Sequence, residues 1–194
     1  MTSPARSSRT LHPALVSLPA LLLACALAAP AHAGDGDPEV DVTADGTVVG
    51  HVVVGASADR VQTYLADIAF TRKLAKDVTN VEVVKSGGCE LVTTYASGFI
   101  DVMYVARRCP TETGWIETLL ESKQFADYYA EWIVTPVATG MQLTFRLRTE
   151  MDMPVPARLV RGTLKRNVKQ TLETIQGQLG APRQSPSVVA DPSR

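Results

Sequence analysis

Hydrophobic positions change their spacing several times along this chain, and each change marks a different element. From Ala14 to Ala29 they run almost unbroken, with only Ser17 and Pro19 between them. From Gly46 to Val54 valines dominate, which predicts a β-strand. Ser57 then stands where a helix N-cap belongs, and Val61, Tyr64, Leu65 and Ile68 follow at helical spacing. A second short helix is expected around Phe70 to Lys76.

Six strand-like runs come next: Val78 to Lys85, Glu90 to Ala96, Phe99 to Arg108, Trp115 to Glu121, Phe125 to Thr135 and Met141 to Glu150. Turn residues separate them at Ser86-Gly87-Gly88, Ser97-Gly98, Pro110 to Gly114 and Ala138-Thr139-Gly140. The last run alternates most clearly. Met141, Leu143, Phe145 and Leu147 point one way, and Gln142, Thr144, Arg146 and Arg148 the other. A long helix closes the pattern. Pro154 and Pro156 suit its first turn, and Gly180 suits its end. Leu159, Val160, Leu164, Val168, Leu172, Ile175 and Leu179 form an apolar stripe, with Arg158, Arg161, Lys165, Arg166 and Lys169 largely off it. At 1.5 Å per residue such a helix runs roughly 35 Å.

The order of strand, two helices, six strands and a long helix resembles the helix-grip fold of the START-like (SRPBCC) superfamily. Within it the chain is similar to the polyketide cyclase/dehydrase and lipid-transport branch, over residues 47–180. The resemblance is carried by Ala130-Glu131-Trp132-Ile133-Val134-Thr135-Pro136, by Gly140 to Phe145, by the proline-rich start of the last helix at Pro154 to Leu164, and by Ala58 to Asp67. It implies an α+β domain in which a curved seven-stranded antiparallel sheet wraps around the C-terminal helix. A cavity for a lipid, quinone or polyketide-like molecule is expected between them. It supplies no catalytic motif to carry over.

The N-terminal run changes the expected compartment. Arg6 and Arg9 precede the apolar stretch, and Ala31-His32-Ala33 has the small-x-small form of a cleavage site. Residues 1–33 therefore read as a secretory signal, 34–45 as a flexible segment, 46–180 as the domain and 181–194 as a disordered tail. Periplasmic or extracellular residence follows. An alternative stays open at Leu22-Leu23-Ala24-Cys25, which resembles a lipoprotein box that would anchor the protein through Cys25.

Charge and candidate chemistry narrow the function. The net charge is −1, and cleavage would remove two arginines. This leaves no footprint for nucleic acid. The basic positions of the last helix leave transient contact with anionic lipid open, and nothing indicates an oligomeric state. His51 would be the one histidine left after cleavage, so neither a metal site nor a nucleophile–histidine pair is indicated. No cofactor motif is present.

Asp101, Glu117 and Glu131 fall on the parity opposite the apolar positions and are read as solvent-facing. That favours a carrier or sensor of a hydrophobic small molecule. A cyclase/dehydrase-type enzyme is the alternative, and a surface-interaction domain without ligand is another. The predicted cavity wall takes Leu91, Thr93 and Tyr95 from one strand and Val102 and Tyr104 from the next. It adds Ile116, Thr118, Ala130, Trp132, Leu143, Phe145 and Leu147 from the later strands and Leu159, Leu164 and Val168 from the helix, with Tyr95 and Tyr104 as candidate polar contacts.

Two cysteines remain after the signal, Cys89 and Cys109. An even pair in an oxidising compartment favours a disulfide over two buried thiols. A five-residue loop from Ser97 to Asp101, closed by Ala96 and Val102, brings the two cysteines face to face, whereas a two-residue turn at Ser97-Gly98 would misalign them.

Overall fold

The computed structural model describes residues 36–68, 72, 75–98 and 100–182. The expected signal sequence, the Cys25 alternative and nearly all of the expected tail lie outside the described residues. The second helix expected around Phe70 lies largely outside them too.

Eight strands form one antiparallel sheet: β1 (Glu39–Val42), β2 (Val48–Val54), β3 (Val78–Ser86), β4 (Cys89–Ala96), β5 (Val102–Pro110), β6 (Gly114–Ser122), β7 (Phe125–Val137) and β8 (Gly140–Met151). Among the described residues two longer helices accompany them, α1 (Ala58–Ala66) and α2 (Ala157–Leu179). The spatial order is β1-β2-β8-β7-β6-β5-β4-β3. Every expected strand is present, with one more in addition. Strand β1 falls in the segment read as flexible and pairs with β2 from Glu39↔His51 to Val42↔Val48. Four residues of alternating acid and valine carry too little periodicity to announce a strand. The partner edge of β2 supplies the order that the segment lacks by itself.

Chemistry at single residues positions the elements. The Ser57 hydroxyl accepts from the Arg60 backbone N–H at the start of α1. Helix α2 starts after Pro156, and Gly180, at φ 87°, ends it while donating to the Gln176 carbonyl. Val168, Leu172, Ile175 and Leu179 are buried on α2's sheet-facing side. Each buried side chain of this size contributes about 1.5–3 kcal/mol. Gly50 lets the helix come close: a Cβ there would lie 2.6 Å from side-chain atoms of both Val168 and Leu172. Gly140 opens β8 at φ 149°, where a Cβ would lie 2.0 Å from the Val54 carbonyl oxygen.

Leu159 does not belong to the buried stripe. It is 64% exposed. It stands nine residues before Val168, and at 3.6 residues per turn that places it half a turn around the helix.

The β4–β5 hairpin closes as the five-residue loop requires. Ala96 faces Val102, and Glu90 faces Arg108. Cys89 and Cys109 are joined in a disulfide with a Cα–Cα distance of 4.4 Å. No helix among the described residues is long and apolar enough to cross a membrane.

Candidate functional site

The inner face of the sheet, helix α2 and the segment that includes Ile68, Arg72, Ala75 and Asp77 line a partly open cavity of about 260 Å³. From the sheet its wall includes Ala96, Val102, Tyr104, Phe125, Tyr128, Ala130, Trp132, Phe145 and Leu147, and from α2 it includes Leu164 and Val168. Alternation along β7 and β8 produces most of this wall, since every second residue turns inward. Trp132 stacks on Phe145 with ring centroids 4.0 Å apart. Tyr104 packs against both Phe125 and Tyr128, at 5.4 Å and 4.8 Å.

Of the wall predicted from sequence, Val102, Tyr104, Ala130, Trp132, Phe145, Leu147, Leu164 and Val168 line this cavity. Leu143 is fully buried but sits in the packed core instead. Leu91, Thr93 and Tyr95 belong to the outer parity of β4; Val92 and Thr94 are the buried residues. Ile116 and Thr118 are likewise on the outer parity of β6, and Glu117 is buried between them. Both errors have one cause: these strands carry apolar residues on both faces, so hydrophobicity alone does not decide the inward parity. Leu159 faces away from the cavity, as described above.

Glu117, read as solvent-facing, is 2% exposed and lies at the centre of a buried ionic network. One of its oxygens pairs with Arg72 and accepts from the Tyr128 hydroxyl at 3.2 Å. The other lies 3.5 Å from Arg108 Nε. Arg72 also donates to the hydroxyls of Thr94 and Tyr104, and to that of Tyr128 at 3.5 Å. Arg108 pairs with Glu90 at 2.8 Å and lies over the Trp115 ring at 3.7 Å. It donates to the Leu65 carbonyl in the last turn of α1, one of the acceptors a helix end leaves without an internal partner. Asp101 is exposed, and Glu131 is partly exposed and paired with Arg146.

The network acts on the proton affinities of Arg72, Tyr128 and Arg108. Burial alone opposes the Arg72 charge, but Glu117, Tyr104 and Tyr128 outweigh it and hold the guanidinium more firmly protonated than usual. Burial pushes the Tyr128 hydroxyl well above its ordinary range, so it remains a donor. Burial lowers the affinity of Arg108 for its proton, with Glu117 and Glu90 opposing that effect. Among the described residues that line the cavity, Arg72 is the one cation, and Glu117 and Asp77 stand against it. The cavity therefore has a broad apolar wall and a polar end where the Arg72–Glu117 pair and the hydroxyls of Tyr104 and Tyr128 converge, with Asp77, Thr149, Asn167 and Thr171 as further polar lining.

One sequence signal would have exposed this network. Inward Tyr104 fixes the parity of β5 and turns Arg108 inward. Arg108 then faces Glu90 on one neighbouring strand and Glu117 on the other. Opposite charges at facing positions are favourable cross-strand pairs. Arg72 carries no comparable signal, because it lies outside the strands.

Residues 45–180 match the family model described as polyketide cyclase / dehydrase and lipid transport. The chain belongs to this family. Solved structures of similar fold include a START superfamily protein from Mycobacterium smegmatis, at 15% identity and a TM-score of 0.59, covering 69% of this chain and 96% of that one. The Zhui aromatase/cyclase from Streptomyces sp. R1128 is 19% identical with a TM-score of 0.56, covering 69% and 92%. A STAR-related lipid transfer protein from Xanthomonas axonopodis is 18% identical with a TM-score of 0.58, covering 73% and 92%. No curated protein matches the chain. The helix-grip architecture expected from the element order is the architecture of these relatives.

Proposed function

We propose that this domain holds a single hydrophobic small molecule with an uncharged polar end, as a carrier or sensor outside the cytoplasm. The observation that carries the reading is the apolar cavity under α2 that ends at the buried Arg72–Glu117 pair. Ligand pockets characteristically combine apolar walls with a few convergent polar groups, in volumes of about 300–1,000 Å³. This one lies just under that range, which suits one compact or slender ligand. A hydroxyl, ketone or quinone oxygen can join the existing hydrogen bonds without adding charge. A carboxylate would lose its hydration and meet an arginine that Glu117 already neutralises. The disulfide and the N-terminal signal pattern support residence in an oxidising compartment.

Trp132 in the wall provides the readout. Titration with decanol and with decanoate, followed by tryptophan emission, should give saturable binding, with the alcohol bound about tenfold more tightly, or about 1.4 kcal/mol. Equal affinity, or tighter binding of the carboxylate, argues against the proposed polar end.

A second reading is favoured by one observation. Glu117, Tyr104 and Tyr128 face the cavity together, and these are groups able to move protons in a cyclisation or dehydration. The similar aromatase/cyclase fold agrees with this reading. Binding without turnover is preferred because both Glu117 oxygens are already engaged, one by Arg72 and the Tyr128 hydroxyl and the other by Arg108. Turnover of a polyketide-like substrate that is abolished in Glu117→Gln would reverse the preference.

A further inference from the structure

Arg108 and Glu90 do not line the cavity, yet they lie directly behind its polar end. They face each other across β4 and β5, one residue from the Cys89–Cys109 disulfide. Alternation puts the disulfide on the outer side of the sheet and turns the Glu90 and Arg108 side chains to the concave side. There Arg108 is shared between two carboxylates, at 2.8 Å from Glu90 and 3.5 Å from Glu117. Glu117 is shared in turn between Arg108 and Arg72. The result is an alternating row, Glu90, Arg108, Glu117 and Arg72, in which each inner charge divides itself between two partners. Cys89 is the first residue of β4, where the strand also pairs with β3 at Ser86↔Cys89 and Lys85↔Glu90.

We infer that Glu90 and Arg108, held together by the neighbouring disulfide, are positioning residues that tune the Arg72–Glu117 pair at the polar end of the cavity. This rests on the ligand-binding reading above. Its physical basis is competition within the row. While Glu90 occupies one side of Arg108, Glu117 remains available to neutralise Arg72. When Glu90 is no longer held at this distance from Arg108, or its charge is removed, Arg108 turns its full interaction onto Glu117. Arg72 is then left under-neutralised at the cavity wall. The cavity thereby changes from one that prefers an uncharged polar group to one that tolerates an anion. The disulfide acts through geometry alone and takes no part in any reaction of the ligand.

The test compares decanol and decanoate by tryptophan emission at about pH 7.5, where the carboxylate is ionised. It uses the oxidised protein, the protein reduced with a phosphine, and Glu90→Gln with its disulfide intact. Reduction transfers two electrons from the phosphine to the disulfide; water supplies the oxygen of the phosphine oxide and the protons of the two thiols. The expected result is a fall in the alcohol-over-carboxylate preference by about tenfold in both altered forms. General loosening of the fold would weaken both probes alike and leave the preference unchanged; that result overturns the inference, as does an unchanged affinity for each probe. Glu90→Gln keeps the disulfide, so the test stands even where the reduced protein does not remain folded. If neither probe binds the oxidised protein, the ligand-binding reading fails and the inference fails with it. Binding to the oxidised form with an unaltered preference in Glu90→Gln sinks the inference alone.

Discussion

Glu117 shows what one buried side chain commits this protein to. It has two arginines, a tyrosine hydroxyl and almost no water around it. Glu117→Gln keeps its shape but leaves the two guanidiniums without their shared anion, and breaking a buried pair from one side costs about 3–5 kcal/mol. Against a typical stability of about 5–15 kcal/mol this is a large loss. Urea unfolding should show a lower midpoint with an unchanged slope. His51 offers a second residue-scale expectation. It is half-buried and hydrogen-bonded to Thr144 at 2.9 Å. Burial lowers its pKa, as does Arg146, while Glu39 and Asp41 oppose the shift. The unfolded chain therefore takes up its proton first. The contribution of His51 is present above the unfolded pKa of about 6.5 and is lost as pH falls through and below it. Stability curves should decline from about pH 7 towards pH 5, before the ordinary carboxylates titrate, and His51→Gln should flatten that decline.

At the scale of elements, the sequence was most legible where one face is wet and the other dry. Strand β8 alternates so cleanly that the inward positions of Phe145 and Leu147 follow from the pattern, and both line the cavity. Strands β4 and β6 were not legible in this way. Leu91, Tyr95 and Ile116 put apolar side chains on the outside, while Glu117 and Thr94 put polar ones inside. An inward charge needs a partner from another element, and the partner Arg72 is far away in sequence. Cross-strand logic through Arg108 points to an inward Glu117 but not to Arg72. The disulfide was legible because antiparallel pairing turns residue numbers into geometry. Helix α2 was legible over its C-terminal half, where the tight contact with β2 sets the buried face. Gly50 is the residue that allows this contact. In Gly50→Ala the new methyl group meets Val168 and Leu172, and overpacking of this kind costs about 1–3 kcal/mol. Thermal unfolding should show a lower Tm in this variant.

For the whole molecule, the sheet, the long helix and the family match agree on one architecture. Leu164 and Val168 of α2 line the cavity, and Val168 is also fully buried against Gly50 of β2. Towards the C-terminal end of α2, Leu172, Ile175 and Leu179 close the core completely. The fold thus places a packed region beside a region that holds the cavity. The measurement that tests this account most directly is native mass spectrometry of protein purified from its own host, with organic extraction of whatever it carries. The account predicts a discrete added mass that organic solvent releases as an uncharged, largely apolar molecule. It also predicts that the mass is absent from Ala130→Phe, whose larger side chain would occupy the cavity. A bare protein mass from freshly isolated material, with the wild type and Ala130→Phe indistinguishable, would contradict it.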